Sequence, residues 1–504
     1  MPRRAADVDG RAPCIIGVAQ ETWRPDAGDA PEPLELWAEV ADTAARDAGT
    51  RRALDGIDAL HAVHCLSWDY DDSARRLAER LEVTPTHMEV SMLAGTASQR
   101  MVNAAAERML RGESDLALVA GGEALATRRR MRARGEEPRW SHPAPATGRP
   151  PIDLEGWISP TEWAHDVVAA TLTFAALDTA RRAHLAIDPA EYHMQEGRLL
   201  ARWTEVAAAN PYAWFPTART AEDLITVTPE NRIISSPYTK RMVAMMDVDM
   251  AAAIIVATHD RADALGVPQD RRVYLRGWAF GRDATHVAER AHLHRSPAMA
   301  AASSAALASA GIGIDDVAHL DLYSCFASAS LFAADALRVS PDDPRGLTVA
   351  GGLPYHGGPA SNYTAHSIAG VVDRIRDAGE GFGLVSGVGM HMTKHVWTVY
   401  GAAPGPVSPP DETEIQADID RDPARPVVAS VRQAVDATIA AYSVTHDRSG
   451  APATALIIAE LADGSRAYAR TTSTGALDAL GTGEWVGLPV CLTPGPEGTN
   501  IARL

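Results

Sequence analysis

The chain has 504 residues, of which 46% are apolar and 22% charged, and its formal net charge is −18. This composition predicts a folded protein with a large core and enough length for several domains. The negative charge argues against nucleic acid and against an anionic membrane surface as partners, although local arginines and helix N-termini can still bind an anionic ligand.

The four cysteines are far apart in the chain and form neither a CxxC pair nor a metal-ligand spacing. This pattern is typical of a reduced, cytoplasmic protein, and we expect no metal site. No run of about 18–20 apolar residues could span a membrane, and the N-terminus lacks the apolar stretch of a signal peptide. The sequence therefore predicts a cytoplasmic protein without a membrane association.

The first part of the chain alternates strand and helix patterns. Residues 13–19 form an apolar run typical of a buried strand, and residues 32–48 have the apolar spacing of a helix. Residues 97–110 and 115–120 then predict a helix followed by a buried strand. A strand–helix–strand order implies a parallel sheet covered by helices.

Residues 126–235 break this alternation and are interpreted as a large insertion, with helices near 160–184 and 189–208. The insertion begins with a basic run, RRRMRAR at 128–134, which fits a solvated face or, alternatively, a phosphate contact. A buried strand pattern returns at 242–257. We place the end of the first half at residue 268.

The second half, residues 269–402, repeats the order of strands and helices and suggests an internal duplication. Its predicted elements are strands at 272–280, 318–326, 382–388 and 395–400 and helices at 296–310, 327–337 and 365–377.

A proline-rich segment, residues 403–413, is predicted to be a linker. The remaining residues, 414–504, contain strand-like runs separated by turns such as ADGS at 462–465. They predict a separate β domain, most like a small five-stranded barrel of OB type.

The densest group of chemically capable residues is GGLPYHGGPASNYTAH at 351–366. Glycine permits positive φ and close approach of the backbone, so a loop that also carries tyrosines and histidines is a candidate active site.

Four segments, taken together and in order, resemble the thiolase superfamily of acetyl-CoA acetyltransferases over about 400 residues. They are AERMLRGESDLALVAGGEAL at 106–125, NRIISSPYTKRMVAMMDVDMAAAIIVAT at 231–258, LYSCFA at 322–327 and the glycine-rich loop. The resemblance implies a duplicated five-layer αβαβα fold, acyl-CoA thioesters as ligands, a role in lipid metabolism and a homodimer. Coenzyme A would be a substrate or ligand, and no tightly bound cofactor is expected.

The catalytic positions of this family fall on glycines in this chain. The nucleophilic cysteine aligns with Gly95, the histidine of the Gly-His-Pro motif with Gly358, and the second cysteine with about Gly387. The resemblance therefore argues against ordinary thiolysis or Claisen condensation. With Gly357 and Gly389, these glycines are expected to line the bound thioester.

Other groups remain available for chemistry. The candidate catalytic residues are Tyr323, Cys325, His356, Tyr363 and His391. The chain is also similar to the steroid side-chain aldolases, a branch without the nucleophilic cysteine that uses two tyrosines and an OB-type partner protein. Tyr323 and Tyr363 match those tyrosines, the second approximately.

Three functions follow as hypotheses. The first is a thiolase-like protein that binds acyl-CoA thioesters and performs altered carbon–carbon bond chemistry. The second is a retro-aldolase acting on a β-hydroxyacyl-CoA through tyrosines. The third is a protein that binds coenzyme A, or serves as a scaffold, without catalysis.

Overall fold

The structure, a computed structural model, describes residues 8–145 and 156–504. Its strands are β1 Pro13–Thr22, β2 Ala59–Ala62, β3 His87–Val90, β4 Leu116–Ala124, β5 Ile233–Ser235, β6 Tyr238–Thr239, β7 Asp249–Thr258, β8 Val273–Arg282, β9 Val317–Asp321, β10 Phe382–Gly389, β11 Lys394–Gly401, β12 Val435–His446, β13 Pro452–Glu460, β14 Arg466–Thr471, β15 Pro489–Pro494 and β16 Asn500–Arg503.

Helices account for much of the remaining described chain. They are α1 Pro33–Asp47, α2 Arg52–Asp55, α3 Ser73–Leu81, α4 Ala97–Leu110, α5 Leu125–Ala133, α6 Pro160–Ala164, α7 Ala170–His184, α8 Pro189–Ala209, α9 Ala221–Ile225, α10 His259–Leu265, α11 Pro297–Ala310, α12 Ala327–Leu337, α13 Tyr363–Ala378, α14 Glu412–Ile419 and α15 Thr474–Thr482.

A nine-stranded mixed sheet carries the internal duplication. Its order is β3-β2-β4-β7-β1-β8-β11-β10-β9. Outward from the β1–β8 pairing, the first half runs β1-β7-β4-β2 and the second half runs β8-β11-β10-β9, so strands in equivalent chain positions occupy equivalent places. Strand β2 pairs in parallel with β3 and β4, and β9 pairs in parallel with β10. The other pairs of this sheet are antiparallel. The predicted duplication is confirmed.

The helices form three layers around this sheet. Helices α4 and α13 contact each other and strands of both halves, so they lie between the two halves of the sheet. Helix α4 buries Ala97, Met101, Ala105 and Met109 at helical spacing, which fits this central position. Helices α1 and α3 cover the first half and α11 the second, with α12 packed against α11. The five-layer αβαβα fold is therefore confirmed.

The insertion contributes the helices α5–α9 and the β5–β6 hairpin. Its first predicted helix, at 160–184, is two helices, because the chain turns at residues 165–169, where Asp166 has φ +55°. The strand predicted at 242–257 begins later, at Asp249, because the backbone N–H groups of Ala244 and Met245 donate to the carbonyls of Cys325 and Leu353 instead of to a neighbouring strand.

The C-terminal residues form a closed five-stranded barrel of order β12-β13-β14-β16-β15, returning to β12. Strands β14 and β16 pair in parallel, and α15 lies between β14 and β15 in the chain. This topology confirms the predicted OB type, although the sequence analysis missed α15 and β16. Strand β5 of the insertion pairs with β12, and β5 and β6 together extend this sheet to seven strands.

Two further differences concern element ends. The strand predicted at 318–326 ends at Asp321, because the next backbone groups bond elsewhere: Tyr323 N–H donates to the Ser386 hydroxyl at 2.9 Å. Helix α14 begins at Glu412, inside the predicted linker. Among the described helices, none is both long and apolar enough to cross a membrane.

Candidate functional site

The glycine-rich loop between α12 and α13 lies directly against helix α8 of the insertion. Gly351 and Gly352 have φ +107° and +79°, and a Cβ on either would lie 2.7 Å from the nearest atom of Ala207 or Trp203. Both the backbone conformation and the close approach therefore require glycine. The indole of Trp203 is almost completely buried beneath the loop.

Hydrogen bonds fix this loop on both sides. The buried carboxylate of Asp321 accepts the N–H groups of Val349 and Ala350, at 2.8 and 2.9 Å, just before the glycines. On the other side, the insertion donates Trp214 N–H to the carbonyl of His356 at 2.8 Å. These bonds position the loop backbone between β9 and the insertion.

The N-termini of the two central helices meet next to this loop. The hydroxyls of Ser98 and Thr364 are 2.6 Å apart, and the Ala94 N–H donates to the Ser361 hydroxyl at 3.2 Å. Gly95 therefore lies at the start of α4, in the place that the resemblance assigns to the nucleophile.

Tyr323 fills the space in front of Gly95. A Cβ at Gly95 would lie 2.3 Å from the Tyr323 hydroxyl oxygen and 2.2 Å from the Val388 carbonyl oxygen. Neither separation is compatible with a side chain, so residue 95 must be glycine unless its neighbours move. The phenol hydroxyl thus occupies the volume into which a nucleophilic side chain would project.

The side chains around Tyr323 form a buried aromatic cluster. The ring centroids of Tyr323 and Tyr363 are 5.6 Å apart, those of Tyr363 and His356 5.8 Å, and those of His356 and His366 5.1 Å. All four side chains are buried, with Tyr323 the most exposed at 6%. The structure thus brings together three of the predicted residues, Tyr323, Tyr363 and His356.

Burial makes every member of this cluster neutral. It raises the pKa of both tyrosines, and it lowers the pKa of His356 to about 4 and that of His366 as well. His356 Nδ1 contacts the Gly357 carbonyl at 3.1 Å, and no described residue hydrogen-bonds to its Nε2. At neutral pH the cluster therefore offers phenol O–H donors and an unprotonated imidazole nitrogen.

The other predicted catalytic residues lie at the edge of this cluster or outside it. Cys325 is buried, and burial raises the pKa of its thiol, so it is not an activated nucleophile. His391 faces the insertion: burial lowers its pKa, while the nearby Glu162 carboxylate and a Val168 backbone group act in the opposite direction.

Of the other glycines predicted to line the thioester, two lie beside Gly95 and two lie elsewhere. A Cβ at Gly387 would lie 3.3 Å from the Gly95 carbonyl oxygen, and one at Gly389 would lie 3.4 Å from Ala94, so both glycines adjoin the start of α4. Gly357 and Gly358 instead pack against Met250 and Leu353.

The sequence favours a structural role for His366, at the start of a helix, and gives no functional role to Gln20. His366 lies one helical turn after Tyr363 on α13 and therefore on the same helix face, a spacing that could have revealed it. Its Nδ1 contacts Gln20 Oε1 at 3.1 Å. Gln20 comes from the distant strand β1, and only the fold brings it here.

A pocket of about 260 Å³ opens beside the glycine loop. Its lining includes Phe215, Arg219, Glu230, Lys240, Arg241 and Tyr355. The Tyr355 side chain is buried, and its hydroxyl has no hydrogen-bond partner among the described residues. The pocket thus combines three cations, one carboxylate and an available donor next to His356.

The first three arginines of the basic run contact other groups of the protein. Arg128 donates to the carbonyls of Leu66 and Ser67, Arg129 pairs with Asp247, and Arg130 pairs with acidic groups of neighbouring segments. The exposed Arg129 agrees with the predicted solvated face, whereas Arg128 and Arg130 are held by contacts within the protein.

The comparisons with known proteins agree with this architecture. Residues 414–494 match the model of the thiolase-like protein type 1 additional C-terminal domain. No curated protein matches the chain. The crystal structure of a monomeric SCP2-thiolase-like protein type 1 from Mycobacterium smegmatis is 32% identical, with a TM-score of 0.86, over 99% of this chain and 100% of that one.

More distant structures share the fold. The Ltp2-ChsH2(DUF35) aldolase is 16% identical, with a TM-score of 0.60, over 79% of this chain and 99% of that one. Human mitochondrial 3-ketoacyl-CoA thiolase is 14% identical, with a TM-score of 0.57, over 78% of this chain and 100% of that one. From the near full-length match to the mycobacterial protein, the chain belongs to the SCP2-thiolase-like protein type 1 family of the thiolase superfamily.

Proposed function

We propose that this protein binds acyl-CoA thioesters and acts on their carbon chain by acid–base chemistry, without a covalent acyl-enzyme. The observation that carries this proposal is the Tyr323 hydroxyl, 2.3 Å from where a Cβ at Gly95 would be. A hydrogen-bond donor occupies the volume that covalent acyl transfer would need for its nucleophile.

The protonation states assign the roles. The raised pKa of Tyr323 makes it a donor rather than a base, and the lowered pKa of His356 keeps this imidazole unprotonated. We therefore assign Tyr323 to the thioester oxygen and His356 Nε2 to proton abstraction. This assignment modifies the hypothesis of a retro-aldolase that acts through tyrosines, because a histidine is now the base.

A retro-aldol cleavage of a β-hydroxyacyl thioester needs both a base and a hydrogen-bond donor, and His356 and Tyr323 supply them. His356 Nε2 takes the β-hydroxyl proton, and the electron pair of that O–H bond forms a carbonyl as the Cα–Cβ bond breaks. The electrons of the broken bond pass into a thioester enolate, whose oxygen accepts a hydrogen bond from Tyr323. Protonated His356 returns its proton to the α-carbon, which leaves a shortened acyl-CoA and an aldehyde or ketone.

The pocket beside the loop suits the coenzyme A portion of such a substrate. Arg219, Lys240 and Arg241 can face phosphate groups, and Phe215 offers an apolar surface. Tyr355, in the pocket wall, is the neighbour of His356 in the chain, and we propose that the acyl portion of the ligand extends from this pocket toward the cluster.

Two variants test binding and chemistry separately. Calorimetry with coenzyme A should show roughly tenfold weaker binding to Lys240→Met than to the wild type, since one charge-assisted contact is lost. Arg448→Met, an exposed cation on the barrel, is the control. Equal affinities of all three proteins would contradict the location of the ligand.

Cleavage of a β-hydroxyacyl-CoA should fall about 10²–10³-fold in Tyr323→Phe, the usual effect of removing one oxyanion donor. Tyr212→Phe, outside the cluster, should retain the wild-type rate. Unchanged cleavage in Tyr323→Phe would refute the role of this hydroxyl.

A non-catalytic binding protein is the second candidate, and one observation favours it. The side chains of His356, Tyr363 and His366 are fully buried, so a substrate reaches them only if the loop or α8 moves. Binding of coenzyme A without turnover of any β-hydroxyacyl or β-ketoacyl thioester would select this candidate.

The homodimer expected from the sequence has no support, because the mycobacterial relative is described as monomeric. We propose a monomer for this chain too, in the cytoplasm. Light scattering of the full chain after size-exclusion chromatography tests this, and a mass of about twice 53.6 kDa would contradict it.

A further inference from the structure

Three potential metal ligands converge at the outer edge of the nine-stranded sheet, on the terminal strand β3 and its neighbour β2. His61 lies opposite Glu89 in the β2–β3 register, and His87 precedes Glu89 by two residues. Because side chains alternate along a strand, His87 and Glu89 project from the same face of the sheet as His61.

The separations of the ligand atoms suit a coordinated ion. Glu89 Oε2 lies 3.4 Å from His61 Nδ1 and 3.6 Å from His87 Nε2, and one ligand atom from each residue lies within 4.8 Å of the others. Charge-assisted hydrogen bonds are shorter, about 2.7–2.9 Å. Ligands at about 2.0–2.2 Å from a tetrahedral zinc ion are roughly 3.3–3.6 Å apart.

The ring nitrogens of the two histidines also favour a bound metal ion. His61 is completely buried, yet neither of its ring nitrogens has a hydrogen-bond partner among the described residues, and the same holds for His87 Nε2. A buried polar group without a partner is unfavourable, and a metal ion would supply the missing interaction.

We propose that His61, His87 and Glu89 bind a zinc-like divalent cation, with water at the fourth position. Two imidazoles and one carboxylate favour zinc over magnesium or calcium, which prefer oxygen ligands. His87 and Glu89 are 30% and 45% exposed, so an ion can enter from solvent. This proposal departs from the expectation of no metal, which rested on cysteine spacing alone.

One cation lies close enough to oppose the bound ion. Arg108 of α4 contributes to the lowered pKa of His87, after burial, which is the larger cause. Arg108 forms an ion pair with Glu113 at 3.1 Å, which offsets much of its charge.

The test uses the full chain, free of any polyhistidine tag and stripped with a chelator. Calorimetry and elemental analysis should show one equivalent of Zn²⁺ bound, with Mg²⁺ much weaker. Reconstitution with Co²⁺ should give the intense visible absorption of a tetrahedral site.

His87→Gln and Glu89→Gln should each weaken Zn²⁺ binding by more than about a hundredfold, beyond the effect of second-shell changes. Both side chains are partly exposed, so the variants should fold, as thermal unfolding would verify. His286→Gln is the matched control, because His286 faces Glu289 at 3.0 Å in a pair that has no third ligand within residues 8–145 and 156–504. Failure of the wild type to bind stoichiometric Zn²⁺, or equal affinity in all variants, would overturn the proposal.

Discussion

Replacement of Gly95 by alanine tests the arrangement at the centre of the candidate site. The added Cβ would lie 2.2 Å from the Val388 carbonyl oxygen and 2.3 Å from the Tyr323 hydroxyl oxygen. A side chain can turn away, but a backbone carbonyl in strand β10 can move only with the strand. Overpacking of this kind costs about 1–3 kcal/mol, and we expect the upper half of that range.

Thermal unfolding of the full chain measures this cost as a lower midpoint, by on the order of 2 °C or more. Gly475→Ala is the control, since Gly475 in α15 has no atom near its would-be Cβ and should gain about 0.5–1 kcal/mol. In a Tyr323→Phe background the Gly95→Ala penalty should shrink but persist, because the Val388 contact remains. If Gly95→Ala unfolds at or above the wild-type midpoint, Tyr323 does not lie against Gly95.

Further predictions concern pH and the barrel. The folded-state pKa of His356, about 4, is below its ordinary 6.5, so its stabilising contribution is complete above about pH 6.5 and declines as the pH falls toward 4. As the pH falls from 6.5 to 4, the unfolding midpoint should decline less steeply in His356→Gln than in the control His286→Gln. Equal slopes would contradict a lowered pKa for His356. Tyr468→Phe should destabilise the protein by about 1–3 kcal/mol, because the buried carboxylate of Glu162 loses a 2.7 Å hydrogen bond; an unchanged midpoint in urea would exclude this link between insertion and barrel.

Local patterns predicted most of the elements correctly, because their periodicity and glycine boundaries depend on nearby residues. Helices α4 and α12 have the predicted limits. The strand predicted to continue after Asp321 was wrong. Its apolar residues resemble a strand, but the backbone N–H of Tyr323 donates to the Ser386 hydroxyl in β10. Apolar patterning alone does not determine which partner a backbone N–H finds.

The candidate site could be predicted only in part. The resemblance and the glycine density identified Tyr323 and the 351–366 loop from sequence. The separation between the Tyr323 hydroxyl and Gly95 depends on packing between segments more than 200 residues apart, which no local pattern records. The same is true of Gln20 beside His366. His61 and Glu89 are closer in the chain, but their contact depends on the pairing of β2 with β3.

The β5–β6 hairpin has a consequence for how the protein is made. Ser235 of the hairpin pairs with Thr445 of β12, about 200 residues later in the chain. At translation rates of roughly 5–20 residues per second, the hairpin leaves the ribosome some 10–40 s before the strand it needs. During that interval its backbone edge is open to other nascent chains. We therefore expect chain termination before the barrel to yield aggregates, and expression of the barrel as a separate polypeptide in the same cell to reduce them.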